Sequence, residues 1–591
     1  MSVCVVSVLT AAALGAAPPR LRGGAHPRDN LELPQRRLRG GGSSHPLDSP
    51  SALPRLRQLQ ETLSGAESSS LRHLDPAELA SLASELRGAI SAPDAEGLTR
   101  LHRAVMEQDN RRVQRLLAAS ADVEAAAGPL GVRPLHLAVL AGDERTGVLE
   151  QLIKAGADPA ARDARGTGAI HAAVALNLPH VTDLLLGAGV APEGKGAKGA
   201  LPIQLAAWAN AAEAIEALLA RRADADACDA RRRTACHAAA AADSVEALEV
   251  LVDCGANAEA QDRRGRRPLH YAVRACRCAD PDCTRTRALR LLLERGADHS
   301  PRDGGGWTPL HLAAEHNRIA ALRMLLDAGV PPDAYDAEGS CTPLMLAAHA
   351  GARKTLSALL EAGADVSARD ASRVTALQAA AAGGRAKALR LLLAAGAAAN
   401  VTDDVGSSAA FYAARAGSAG CLRALHEAGG DVHAPNQFGW TPLHAASNFS
   451  QCEAVGALLR GAAAAPSPAD EVGWTPLHVA SNRVGSTGGC ECPGCLRTRA
   501  RGLQCMRLLL RRGAKRDLAD TQGATAAHIA AAHDCGAALR LLRAHGADVW
   551  RRDAQGRTPL RVARDIAKPS SAEQQLLLMR GRGGLEAPQD W

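Results

Sequence analysis

Seven of the fifteen cysteines in this 591-residue chain crowd into two short stretches, Cys276, Cys278 and Cys283 in one, and Cys490, Cys492, Cys495 and Cys505 in or just after the other. The stretches resemble each other: Cys276-Arg-Cys278-x4-Cys283-Thr-Arg-Thr-Arg against Cys490-Glu-Cys492-Pro-Gly-Cys495-Leu-Arg-Thr-Arg. Clustered thiolates suit a tetrahedral zinc ion, so Cys490, Cys492, Cys495 and Cys505 form a candidate zinc site. The first stretch has three sulfurs and would need His270, Cys254 or another nearby ligand. The alternative is duplication of a cysteine-bearing loop that leaves reduced thiols or a local disulfide, because the spacing only partly matches a pair of Cys-x-x-Cys arms. The other cysteines, Cys4, Cys228, Cys236, Cys254, Cys341, Cys421, Cys452 and Cys535, fall mostly in or beside helical segments. Single thiols of that kind fit a reducing compartment.

Other residues capable of chemistry lack the partners that chemistry needs. Gly304-Gly305-Gly306 runs into Trp307 rather than Gly-Lys-Ser/Thr, and Lys195-Gly-Ala-Lys198 lacks the remaining phosphate-cradle elements. His426-Glu427 has no second histidine one helical turn on, and His311, His444 and His478 have no second ligand at a fixed spacing. No catalytic residue and no resident cofactor beyond the candidate zinc is therefore expected.

Those three histidines close a tetrapeptide, Thr-Pro-Leu-His, at Thr308–His311, Thr441–His444 and Thr475–His478. Degraded copies place anchors at Thr99, Arg133, Gly168, Leu201, Thr234, Arg267, Thr308, Thr342, Thr375, Ser408, Thr441, Thr475, Thr525 and Thr558. Most lie 33 to 35 residues apart, and the two longer gaps, 41 and 50 residues, hold the cysteine stretches. Threonine is a good N-cap, and proline after it gives up no needed N–H and already has a first-turn φ. Leu310, Ala313 and Ala314 then line one helix face, Leu322, Leu325 and Leu326 line a second helix, Gly329 suits a left-handed C-cap, and Asp336-x-x-Gly339 makes a turn.

This pattern resembles the ankyrin repeat over roughly residues 94–580. The resemblance implies an all-α solenoid of stacked helix-turn-helix units joined by hairpin-like turns, and the Pro/Arg/Gly/Ser-rich composition before it adds a disordered N-terminal extension. It gives the histidine a tethering role between neighbouring turns and places binding at the turn tips and the exposed face of the first helices. The expected function is a non-catalytic scaffold or adaptor for a protein partner, the chain itself being a monomer. A nucleic-acid or anionic-surface binder, or a regulatory or targeting subunit of an enzyme complex, is the alternative.

Composition agrees with thin layers. Apolar residues make up 47% of the chain but aromatics only 2%, which suits Ala/Leu sheets of side chains between helix pairs better than one large core. The net charge of +7 carries little weight, since only seven of 69 basic residues are lysine, a bias of coding more than of phosphate binding.

Departures from the repeat mark the candidate binding residues. Trp307, Trp440 and Trp474 share one position, between turn glycine and threonine, and Phe438 lies two residues before Trp440. These aromatics either meet a partner or pack along the neighbouring tip. Arg231 and Arg233 in one turn, with Arg263, Arg264 and Arg266 in the next, either form a basic ridge for an acidic peptide, anionic lipid or RNA, or a solvated edge. Nucleic acid is the less favoured of these partners. Arg232 replaces the turn glycine and Arg267 the threonine, so the local geometry departs from the family pattern.

Outside the repeats, residues 1–17 are apolar and uncharged and read as a signal or targeting segment, 18–54 as a linker, 55–93 as a helical N-terminal cap, 94–580 as the array with inserts at about 276–287 and 483–502, and 581–591 as a tail. No run of about 18 apolar residues suits a membrane span. The thiols favour the cytoplasm; a working targeting segment would instead mean secretion or an organelle.

Overall fold

Every one of the fourteen anchors sits immediately before the first residue of an α-helix in the computed structural model, from Arg100–Met106 after Thr99 to Pro559–Arg564 after Thr558. The structure describes residues 93–565, apart from 95–96, 129, 142–146, 277–284, 338, 340, 461–464 and 486–491. The expectations for residues 1–92, for Cys278, Cys283 and Cys490, and for the C-terminal tail lie outside the described residues. Those described form 27 α-helices and no strand, only isolated bridges that pinch the turns, such as Arg369 with Thr375 and Thr402 with Ser408. They divide into two compact units, one running to Ala206 with Glu213–Ala223 added, the other made of Ala207–Ala212 and the chain from Asp224 onward.

Within each unit the repeating element is a pair of helices. In Pro309–Glu315 and Ile319–Asp327 the side chains of Leu310, Ala313, Ala314, Leu322 and Leu325 are all fully buried, and the small alanines permit close approach. First helices pack on the next first helix, as Pro343–Ala350 does on Ala376–Ala382, so the core is a succession of Ala/Leu layers. The second helix ends through Ala328 into Gly329, whose φ of +86° is costly for a side-chain-bearing residue. The later part of the longer insert is helical: Pro493–Arg511 runs 19 residues, about twice the usual second helix, and starts from Cys492.

A buried histidine joins successive units. The main-chain N–H of Thr441 donates to His444 Nδ1 at 3.1 Å, and His444 Nε2 lies 3.0 Å from the carbonyl of Trp474 in the next unit. An N–H can only donate, so Nδ1 must be the acceptor and Nε2 must carry the proton. The threonine hydroxyl approaches the same Nδ1, at 2.9 Å in Thr441, and it caps the helix directly in Thr99, for His102 N, and in Thr342, for Met345 N. The same bridge recurs at His102, His136, His171, His237, His270, His311, His478 and His528. Gln378 reproduces it with an amide: Oε1 accepts Thr375 N–H at 2.8 Å and Nε2 donates to the Ser407 carbonyl at 2.9 Å. Met345 and Phe411 stand at this position in the units on either side.

Both sequence departures are accommodated. Arg232 adopts φ +60° and Arg373 φ +62°, so the glycine geometry is kept at the expense of strain. Arg267 still precedes a helix, donates its N–H to His270 Nδ1, and spreads its guanidinium between Glu259 and Asp298.

Two outcomes are expected. A left-handed arginine is strained by roughly 1 kcal/mol, part of which is returned to the flexible unfolded glycine, so Arg232→Gly or Arg373→Gly should raise stability to urea by about 0.5–1 kcal/mol. Burial holds all nine bridging imidazoles below the ordinary value of 6.5. Because the folded value lies below the unfolded one, their contribution is complete above about pH 6.5 and is lost as pH falls through the folded values. The urea midpoint should therefore drop between pH 7.5 and pH 5, and His444→Gln should flatten that slope while keeping the fold.

Candidate functional site

The turn tips are built by aspartates. Asp303 Oδ1 accepts the N–H groups of Gly305 and Trp307, and Asp470 Oδ1 those of Val472 and Trp474, each closing its own turn. Successive tips are joined by main-chain bonds: Gln437 N–H to Val405 carbonyl at 3.1 Å, Glu471 to Phe438 at 3.4 Å, and Thr521 to Val472 at 3.0 Å. This ladder fixes which side chains become neighbours.

The three tryptophans separate into two kinds. Trp440 Nε1 donates to Asp470 Oδ2 in the following turn at 3.0 Å, and Trp474 Nε1 to Asp520 Oδ2 at 3.2 Å. Their rings stack on the bridging His444 and His478, with interplanar angles of 27° and 25°. These two half-buried indoles therefore stitch adjacent tips together. Trp307 lies against His311 in the same way, but its indole N–H finds no acceptor among the described residues.

Trp307 instead faces arginines. A cleft of about 670 Å³ gathers Arg263, Arg264 and Arg266 from one turn, Arg274 from the helix Pro268–Ala275, and Trp307 from the next turn. Arg266 is ion-paired with Asp303 at 3.3 Å, both largely buried. No ion pair neutralises Arg263, Arg264 or Arg274 among the described residues. Glu315 and His316 line the far side. Burial holds His316 below its usual range, opposed by Glu315 and reinforced by Arg274, Arg318 and Arg266. Of the other predicted basic residues, Arg233 is paired with Asp229 of its own turn at 2.6 Å, and exposed Arg231 contributes its carbonyl to the tip ladder. Neither lines the cleft.

A second surface escaped the sequence reading. Val405, Phe438 and Val472 occupy the same place in three consecutive turns, the residue before the turn glycine, and are 43%, 57% and 53% exposed. They account for half of the six large apolar side chains exposed among the described residues, so their clustering is not scatter. The signal was present as a spacing of 33 and 34 residues, but Phe438 alone stood out by size.

Two of the sulfurs in the zinc reading, those of Cys495 and Cys505, are held apart by one helix. Cys492 caps the helix Pro493–Arg511 and its sulfur faces the N–H of Cys495 at 3.4 Å. Cys505 lies ten residues beyond Cys495 on that helix, about 15 Å along its axis, and is fully buried against Cys452. One ion cannot take both ends, so Cys505 leaves the proposed set; Cys490 is outside the described residues. No group of three ligating side chains occurs among the described residues.

Removing an indole N–H tests the tip stitching: Trp440→Phe should lower stability by about 1 kcal/mol, read by urea denaturation, with helix content unchanged by circular dichroism.

Family models match the chain repeatedly. Ankyrin repeats, in three-copy form, match residues 203–303, 276–370 and 410–491, and single ankyrin repeats match 131–164 and 472–521. Among curated proteins, the palmitoyltransferase Hip14 of Drosophila melanogaster is 38% identical over 82 residues, which is 14% of this chain and 13% of that protein. The chain thus spans a small part of that relative's length, too little to transfer an activity. No helix among the described residues is long and apolar enough to cross a membrane. The matched models, the fourteen anchored helix starts and the histidine bridges converge: the chain belongs to the ankyrin-repeat protein family.

Proposed function

We propose that this chain is a non-catalytic scaffold or adaptor that binds a protein partner through its turn tips. The observation that carries the reading is the row of exposed apolar side chains, Val405, Phe438 and Val472, on three tips joined by main-chain hydrogen bonds. Exposed apolar surface of this kind gains free energy when another protein covers it and gains little from a phosphate backbone. Phe438 is the anchor expected to contribute most, because an aromatic ring buries much area at little entropy loss. The cleft of Arg263, Arg264, Arg266 and Arg274 beside Trp307 suits an acidic segment of the same partner. Trp440 and Trp474 contribute chiefly by holding the tips in register.

Affinity capture from native lysate, quantified by mass spectrometry, compares the wild type with Val405→Ser/Phe438→Ser/Val472→Ser and with Arg264→Glu/Arg274→Glu. A partner retained by wild type and reduced at least tenfold by the triple variant, with unchanged circular dichroism, is the expected result. An interaction set untouched by both variants would sink the proposal. Collapse of the set on ribonuclease treatment would hand the arginine cleft to nucleic acid instead.

A further inference from the structure

Cys452 opens the helix Cys452–Leu458, and Cys505 lies within Pro493–Arg511, a helix packed against it. The two residues are 53 positions apart, yet their sulfurs lie 3.2 Å from each other. Cys505 is fully buried, while Cys452 is half-buried. Cys452 Sγ also lies 3.2 Å from the Arg501 carbonyl and 3.8 Å from that of Ser450. Cys236, Cys421 and Cys535, by contrast, are buried thiols.

The electrostatics favour one sulfur as nucleophile. The sulfur contact with Cys505 brings the Cys452 thiol down to about 7; Arg501 adds to this, and burial and Glu453 oppose it. The contact with Cys452 and then burial push the more deeply buried Cys505 above the ordinary thiol range. An accessible thiolate beside a buried thiol is the arrangement that reacts with peroxide and then closes on itself.

We propose that Cys452 and Cys505 form a hydroperoxide-reactive dithiol whose oxidation crosslinks the second helices of two successive repeats. The Cys452 thiolate attacks one peroxide oxygen; the O–O bond breaks, the departing alkoxide or hydroxide takes a proton, and Cys452 becomes a sulfenic acid. Cys505 sulfur then attacks Cys452 sulfur, the S–O bond breaks, and the released hydroxide leaves as water with the Cys505 proton. In total, two thiols lose two electrons and two protons, and hydrogen peroxide is reduced to two waters. The bond joins residues on either side of the second cysteine insert, so it staples the lengthened helix Pro493–Arg511 to its neighbour.

The test uses the full chain, fully reduced, at pH 7 with a few equivalents of hydrogen peroxide, followed by alkylation, digestion without reductant and mass spectrometry. A peptide linking Cys452 to Cys505, removed by dithiothreitol and accompanied by a thermal midpoint several degrees higher, is expected. Cys505→Ser should trap the sulfenic acid, so that dimedone labels Cys452 about tenfold faster than exposed Cys228 or Cys254. Cys452→Ser should abolish both the link and that labelling. Equal labelling of Cys452, Cys228 and Cys254, or no linked peptide from a wild type that remains folded by circular dichroism, overturns the proposal.

Discussion

A neutral imidazole that accepts a main-chain N–H on one side and donates to the next repeat's carbonyl on the other is the interaction on which this structure depends. Thin Ala/Leu layers supply attraction between helix pairs but little directionality, since dispersion and the hydrophobic effect do not select one orientation. The bridge does select: His444 reaches the Trp474 carbonyl only if the two turns are in register. Once register is set, Asp470 can close its turn with one oxygen and receive Trp440 with the other. At the junctions that carry the bridge, tip adjacency follows from that order; between Val405 and Phe438, where Phe411 replaces the histidine, the main-chain bond from Gln437 to Val405 holds the tips together.

The departures from the pattern show how much the frame tolerates. A strained arginine in place of glycine, an amide in place of imidazole and a guanidinium in place of a capping hydroxyl all leave the helix starts where the period put them. Neighbouring repeats impose the geometry and a single poor residue conforms, as expected when each unit's stability is shared with its flanks. Surface chemistry is then free to vary from tip to tip, and the arginine cleft and the apolar row are two such variations.

Much of the frame was legible in the sequence. Thr-Pro and the Leu/Ala spacing fixed all fourteen helix starts, because capping and burial act over a few residues and leave a local mark. The surfaces were less legible. Trp307, Trp440 and Trp474 are indistinguishable by position, yet two of them reach an aspartate 30 or 46 residues further on and the third does not. Val405 and Val472 carry no mark until three turns are laid side by side. Cys505 was grouped with its sequence neighbours, whereas helix geometry carries it away from Cys495 and toward Cys452, a partner set by packing and invisible to spacing.

The unit beginning at Thr342, that at Thr375 and that at Ser408 put Met345, Gln378 and Phe411 where nine other units have histidine. Acid therefore has no bridging imidazole to protonate at these three junctions. Protonation of the imidazoles would loosen the repeats on either flank first, whereas the segment from about residue 342 to 435 would respond to acid chiefly through groups such as Asp365 and His433. A chain that looks uniform along its length is in this respect graded, with its most acid-resistant segment enclosed by its most acid-labile ones.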